Sequence, residues 1–157
     1  MRIHLIAVGR RMPQWVSQGY ESFAKRLPPE CALSLLEVAT AKRRKGVTLG
    51  QLVEREGADM RAAVPRGARV VALDERGAQW TTHQLAGRLE SWLQGGQDMA
   101  LLVGGPDGLS PGCRDGAHEL WSLSPLTLPH ALVRIVVAEQ IYRAWSMLRG
   151  HPYHREG

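Results

Sequence analysis

Four short apolar runs, interleaved with helical patterns, limit the folds open to this chain more than any other feature. They are IHLIAVG (3–9), LSLLEVA (33–39), ARVVALD (68–74) and MALLVGG (99–105). A strand with one wet face alternates apolar and polar residues. Continuous apolar runs belong to strands covered on both faces. LWSLS (120–124) is a candidate fifth strand.

The stretches between them read as helices. Pro13 suits a first helical turn, and Trp15, Val16, Tyr20, Phe23 and Leu27 recur at helical spacing over 13–27. The segment 48–64 is helical despite two glycines, and 81–96 has a threonine N-cap, an apolar stripe and a glycine stop. The longest pattern, 129–150, starts at Pro129 and stops at Gly150. ERGAQW (75–80) reads as a turn. Strands alternating with helices predict one α/β domain over 1–157, its mainly parallel sheet covered by helices on both faces.

No apolar run is long enough to span a bilayer, and MRIHLIAVGRRMPQW lacks the features of a signal peptide, so no membrane partner is expected. The two cysteines, Cys31 and Cys113, are far apart and in no metal-like spacing; they read as free thiols of a cytoplasmic protein. His151 and His154 are three residues apart, but Pro152 interrupts them and no further ligand is evident, so no metal is expected. The formal net charge of +5 favours a polyanionic partner, weakly. By charge density AKRRKG (41–46) ranks first among phosphate contacts, although such a run is more often a solvated loop.

In an open parallel sheet, ligands bind outside the carboxyl ends of the strands. Those ends carry VGRRM, ALDERG, LVGGPDG and LSPLTLPH. LVGGPDG lacks the Lys-Ser/Thr of a P-loop and the spacing of a dinucleotide fingerprint, which argues against a nucleotide triphosphate site. Its glycines suit either a tight turn or a close ligand approach. On the second reading, valine at Gly104 blocks the pocket and leaves the fold intact. Asp74 alone is a weak signal. A histidine placed like His130 is more often structural or a substrate contact than a base. His4 reads as structural, His83 and His118 as exposed. Between Ala131 and Ala138 only Arg134 is charged, so the last helix must be covered on more than one side, and a subunit interface near Arg134, Glu139 and Arg143 is expected.

Three stretches, LVGGPDGLS, WSLSPLTLPHALVR and AEQIYRAWS…HPYHRE, together resemble the RlmH-type ribosomal RNA methyltransferases of the SPOUT superfamily. HLIAVGRRMPQWV and LVEREG also fit, so the resemblance runs from Ile3 to Glu156. It implies a C-terminal trefoil knot, a homodimer, S-adenosylmethionine as methyl donor, and N3 of a pseudouridine in 23S ribosomal RNA, within the ribosome, as the target. It implies that Leu73, Gly104 and the run Leu123, Ser124, Pro125, Leu126, Thr127 and Leu128 line the donor pocket. On the RNA side it makes His130, Arg134, Arg143, Tyr153, His154 and Arg155 candidates, with the tail reaching the other subunit's site. His130 or His154 could accept the N3 proton, or Arg143 could stabilise the developing anion. Pro125 departs from the family pattern, where alanine or a polar residue is expected; it stiffens the loop and keeps its carbonyls. The same fold could also serve a non-catalytic RNA- or ribosome-binding factor.

Overall fold

The computed structural model describes residues 1–155. Five strands, β1 (Arg2–Val8), β2 (Ala32–Val38), β3 (Arg69–Gln79), β4 (Met99–Val103) and β5 (Glu119–Ser122), form one sheet in the order β2-β1-β4-β3-β5. Every pairing is parallel. The helices are α1 (Gln14–Ala24), α2 (Leu49–Ala63), α3 (Thr82–Gly95), the short α4 (Pro111–Gly116) and α5 (His130–Leu148).

The apolar runs behave as two-faced strands do. Side chains two apart share a face. Ile3, Leu5 and Ala7 of β1, with Met99, Leu101 and Val103 of β4, join a core that includes Tyr20, Leu85, Leu89, Val137 and Ile141 from α1, α3 and α5. Ile6 and Val8, with Ala100 and Leu102, join a second core with Met60 of α2 and Cys113 of α4. Each large aliphatic side chain buried in this way contributes about 1.5–3 kcal/mol. Cys31 and Cys113 are both free and buried, one in each core.

Local signals fix the helix ends. Thr48 and Thr81 each close a capping box, with Gln51 and Gln84 respectively. Gly96 ends α3 in the left-handed region, with φ 69°. Gly57, inside α2, is a packing glycine: a Cβ there would stand 2.2 Å from Ser110 Oγ.

ERGAQW is not the expected turn. β3 continues through it to Gln79, and its pairing with β5 jumps between Leu73 and Ala78. The extra residues form an irregular bulge that keeps turn chemistry inside a strand, with Asp74 Oδ1 accepting from the Arg76 N–H at 2.8 Å. Gly77 permits the crossing, since a Cβ would lie 2.5 Å from the Leu120 backbone carbon. Beyond the bulge Trp80 stacks on Trp121, 4.9 Å between ring centroids. Among the described residues no helix is long and apolar enough to cross a membrane.

Candidate active site

A cleft of about 740 Å³ opens at the carboxyl ends of β3, β4 and β5. Its walls are the β3 bulge, the loop after β4 and the loop joining β5 to α5. The size suits a small organic ligand, and walls rich in aliphatic side chains with a few polar groups are typical of such sites.

Most of the pocket residues expected from sequence converge here. Leu73, Gly104, Leu123, Ser124, Leu126, Thr127 and Leu128 all line the cleft. Pro125 lies between lining neighbours but is exposed and does not line it. Ser124 is engaged in its own loop: its Oγ accepts from the Leu126 N–H at 2.9 Å, and its carbonyl accepts from Ser122 Oγ at 3.2 Å. Leu126 is 73% exposed at the mouth.

The glycines of GGPDG serve the turn. Gly108 has φ +82°, and its N–H donates to the Gly105 carbonyl at 3.0 Å. A Cβ on Gly104 would lie 2.5 Å from the backbone carbon of Gly108. The expectation that valine at Gly104 spares the fold is therefore corrected, because any side chain there forces the loop's own backbone apart.

His130, the first residue of α5, also lines the cleft. Burial, and then the nearby Arg134 guanidinium, lower its pKa from the ordinary histidine value. The ring is therefore neutral at neutral pH, the form that accepts a proton.

Arg134 is not on a substrate-facing surface of this subunit. It is 1% exposed, one turn into α5. Its guanidinium donates to Glu37 at 2.6 Å, the Gly9 carbonyl at 2.8 Å and the Val8 carbonyl at 3.3 Å. It braces the ends of β1 and β2, and these partners leave it unavailable to a phosphate.

Arg143, Tyr153 and His154 gather elsewhere, around the second half of α5. Arg143 pairs with Glu139 at 2.6 Å and stacks over Tyr153, whose hydroxyl donates to Glu139 at 3.1 Å. The pairing with Glu139 raises the Arg143 pKa further. His154 Nδ1 lies 3.3 Å from Ser146 Oγ, and Arg155 is exposed. Thirteen residues of helix separate Arg143 from His130, about 20 Å at 1.5 Å per residue. One subunit therefore holds the expected residues as two separate groups.

Sequence reasoning missed several lining residues: Glu75 and Arg76 in the bulge, Asp107 in the glycine loop, and Arg114. Arg114 donates to the Leu109 carbonyl at 2.6 Å and lies 3.9 Å from Asp74, which had been only a weak signal. Glu75, Arg76 and Asp107 fall within the strand-end stretches ALDERG and LVGGPDG but are not singled out there; the bulge and α4 bring them and Arg114 to the cleft.

The family model described as "Predicted SPOUT methyltransferase" matches residues 1–154. The chain is 58% identical over 156 residues to the "Ribosomal RNA large subunit methyltransferase H" of Thioalkalivibrio sulfidiphilus (strain HL-EbGR7), covering 99% of this chain and 100% of that one. Among solved structures, the "Probable Methyltransferase from Bordetella pertussis Tohama I" aligns with TM-score 0.57 at 15% identity, over 90% of this chain and 95% of that one. A "probable methylase family protein from Haemophilus influenzae Rd KW20" aligns with TM-score 0.55 at 14% identity, over 97% and 69%. At those identities the structures speak to fold alone, and they agree with the parallel α/β sheet. With a family match over residues 1–154 and a relative 58% identical from end to end, the chain belongs to the SPOUT methyltransferase family.

Proposed function

We propose that this protein transfers a methyl group from S-adenosylmethionine to N3 of a pseudouridine in 23S ribosomal RNA, acting as a homodimer on the ribosome in the cytoplasm. The observation that carries the reading is the 58% identical relative, matched end to end and named a large-subunit ribosomal RNA methyltransferase.

The cleft fits the donor. Leu73, Val103, Leu123, Leu128 and Val133 offer aliphatic surface to an adenine. Asp74 and Glu75 place carboxylates in the walls, which suit the positive charge of a sulfonium and an amine. When bound, S-adenosylmethionine supplies an electrophilic methyl group.

The substrate nitrogen must lose its imide proton. In this reading neutral His130, at the cleft edge, accepts it. Arg143 is too far along α5 to act in the same subunit's cleft, and the tail that carries Tyr153, His154 and Arg155 packs back beside it. A two-fold partner laying its α5 and tail against the first subunit brings them in, Arg143 then stabilising the developing anion. Unsatisfied apolar surface supports self-association: Trp15 is 58% exposed, and Leu132, Ile135 and Val136 of α5 are only half-buried. The trefoil knot belongs to the same reading, formed by the segment from β5 onward.

The test is transfer of labelled methyl from the donor to 70S ribosomes, 50S subunits and free 23S RNA, followed by nucleoside analysis. Label in N3-methylpseudouridine is expected. No transfer to any of the three, with no donor binding by calorimetry, overturns the reading. RNA binding with no transfer points to a non-catalytic factor on the same fold.

A further inference from the structure

We propose that the β1–α1 and β2–α2 loops form the surface that grips the RNA phosphate backbone beside the cleft, through Arg10, Arg11, Lys42, Arg44 and Lys45. The proposal takes its ligand from the methyltransferase reading above; the surface itself comes from charge and topology. β1 and β2 are neighbours, and β1 pairs on its other side with β4, whose loop walls the cleft. The two loops that leave β1 and β2 therefore emerge at the same sheet edge as the cleft. All five cations are exposed, and among the described residues none is paired with a carboxylate.

Three acids beside these loops are already engaged. Glu37 holds Arg134. Glu56, 3% exposed, turns one carboxylate oxygen to the Ala41 N–H at 2.9 Å. Asp107, in the wall of the cleft, is bound by both contacts of Arg43, at 2.9 and 3.1 Å. The positive charge of the other five side chains is thus left facing outward, which suits a polyanion.

The loops are held in place rather than loose. The Gly9 N–H donates to the Val38 carbonyl at 2.7 Å, joining the roots of the two loops. Buried Arg134 clamps Gly9 and Glu37 from α5. Glu56 fixes Ala41, and Arg43 fastens the basic run to the glycine loop of the cleft. A strand of RNA lying along these cations is set at a fixed offset from the cleft, so that one base can be presented to it.

Two charge-matched variants test this. Arg44→Ala with Lys45→Ala removes two cations from the proposed surface. Lys25→Ala with Arg66→Ala removes two exposed cations at the opposite edge, near the end of α1 and the start of β3. Binding to 23S RNA and to 70S ribosomes is measured across a salt series, with donor binding by calorimetry. The first variant is expected to lose roughly tenfold in RNA affinity, and its log–log salt slope to fall by about 1.5. The opposite-edge variant and donor affinity are expected to stay as in wild type. Arg10→Gln with Arg11→Asn is expected to repeat the loss from the other loop; asparagine tolerates the φ of 58° at position 11.

Equal RNA affinity and slope for both charge-matched variants, with wild type binding RNA, overturns the surface and leaves the methyltransferase reading standing. If wild type binds no RNA and transfers no methyl, both fall. Loss of binding to phosphatidylserine vesicles in the loop variants, with RNA binding unchanged, assigns the patch to a membrane and overturns the proposal.

Discussion

His130 and Arg134 lie one turn apart at the start of α5, and burial uses them differently. Arg134 is fully enclosed and spends its donors on two carbonyls and Glu37. His130 reaches the cleft, kept neutral by partial burial and by its cationic neighbour. A lowered histidine pKa means the accepting form persists to lower pH than in a free imidazole. If His130 takes the substrate proton, His130→Gln should lower kcat by about 10²–10⁴ and leave donor affinity unchanged. The acid limb of the wild-type kcat profile should fall below the ordinary histidine pKa. A kcat within twofold of wild type assigns the proton elsewhere.

Glu56 gives a stability prediction. Burial raises its pKa; the Ala41 N–H opposes this and nearby Asp107 adds to it. For an acid whose folded pKa is raised, the folded state favours the protonated form. That advantage is complete below the unfolded value and is lost as pH rises through the folded value. Above that range the buried carboxylate is a cost. Glu56→Gln keeps an acceptor for Ala41 and removes the charge, so its Tm relative to wild type should climb as pH rises from 4 to 8. A pH-independent difference refutes this.

At the scale of elements, strands and helix ends were legible because their causes are local. Two-faced apolar runs, threonine caps and a left-handed glycine act within a few residues. The β3 bulge was not legible: Glu75, Arg76 and Gly77 are turn residues by composition. They stay in the strand because β5 pairs again at Ala78 and Trp121, a partner more than forty positions away. The cleft residues that sequence reasoning missed lie in that bulge, in α4 and at Asp107, for the same reason. GGPDG was legible as a glycine loop but not in its purpose, since only the fold shows Gly104 meeting Gly108. Gly104→Ala should therefore cost about 1–3 kcal/mol in urea unfolding and weaken donor binding together. Loss of donor affinity with full stability would restore the simpler picture of a ligand-facing glycine.

At the scale of the whole molecule, the roughly 20 Å between His130 and the Arg143–Tyr153–His154 group decides what one subunit can do. The sequence placed both groups in one site by resemblance; the length of α5 holds them apart. Mixed dimers test whether a partner closes the gap. His130→Ala and Arg143→Ala proteins, each inactive alone, should regain up to half of the wild-type dimer's activity when co-expressed as heterodimers, from the one intact site of each. No recovery in a verified heterodimer would place the two groups in separate functions.

The two buried thiols bear on how RNA binding at the basic loop can be watched. Burial pushes the Cys31 thiol up to about 11, and Cys113 is shut into the opposite core at 1% exposure. Burial closes both to a maleimide, and the raised pKa of Cys31 also leaves it almost no thiolate at neutral pH. A single new cysteine, such as Arg44→Cys, can thus carry a fluorophore without first removing the native pair. Labelling should stop at one dye per subunit, and the basic loop then reports its own engagement in real time.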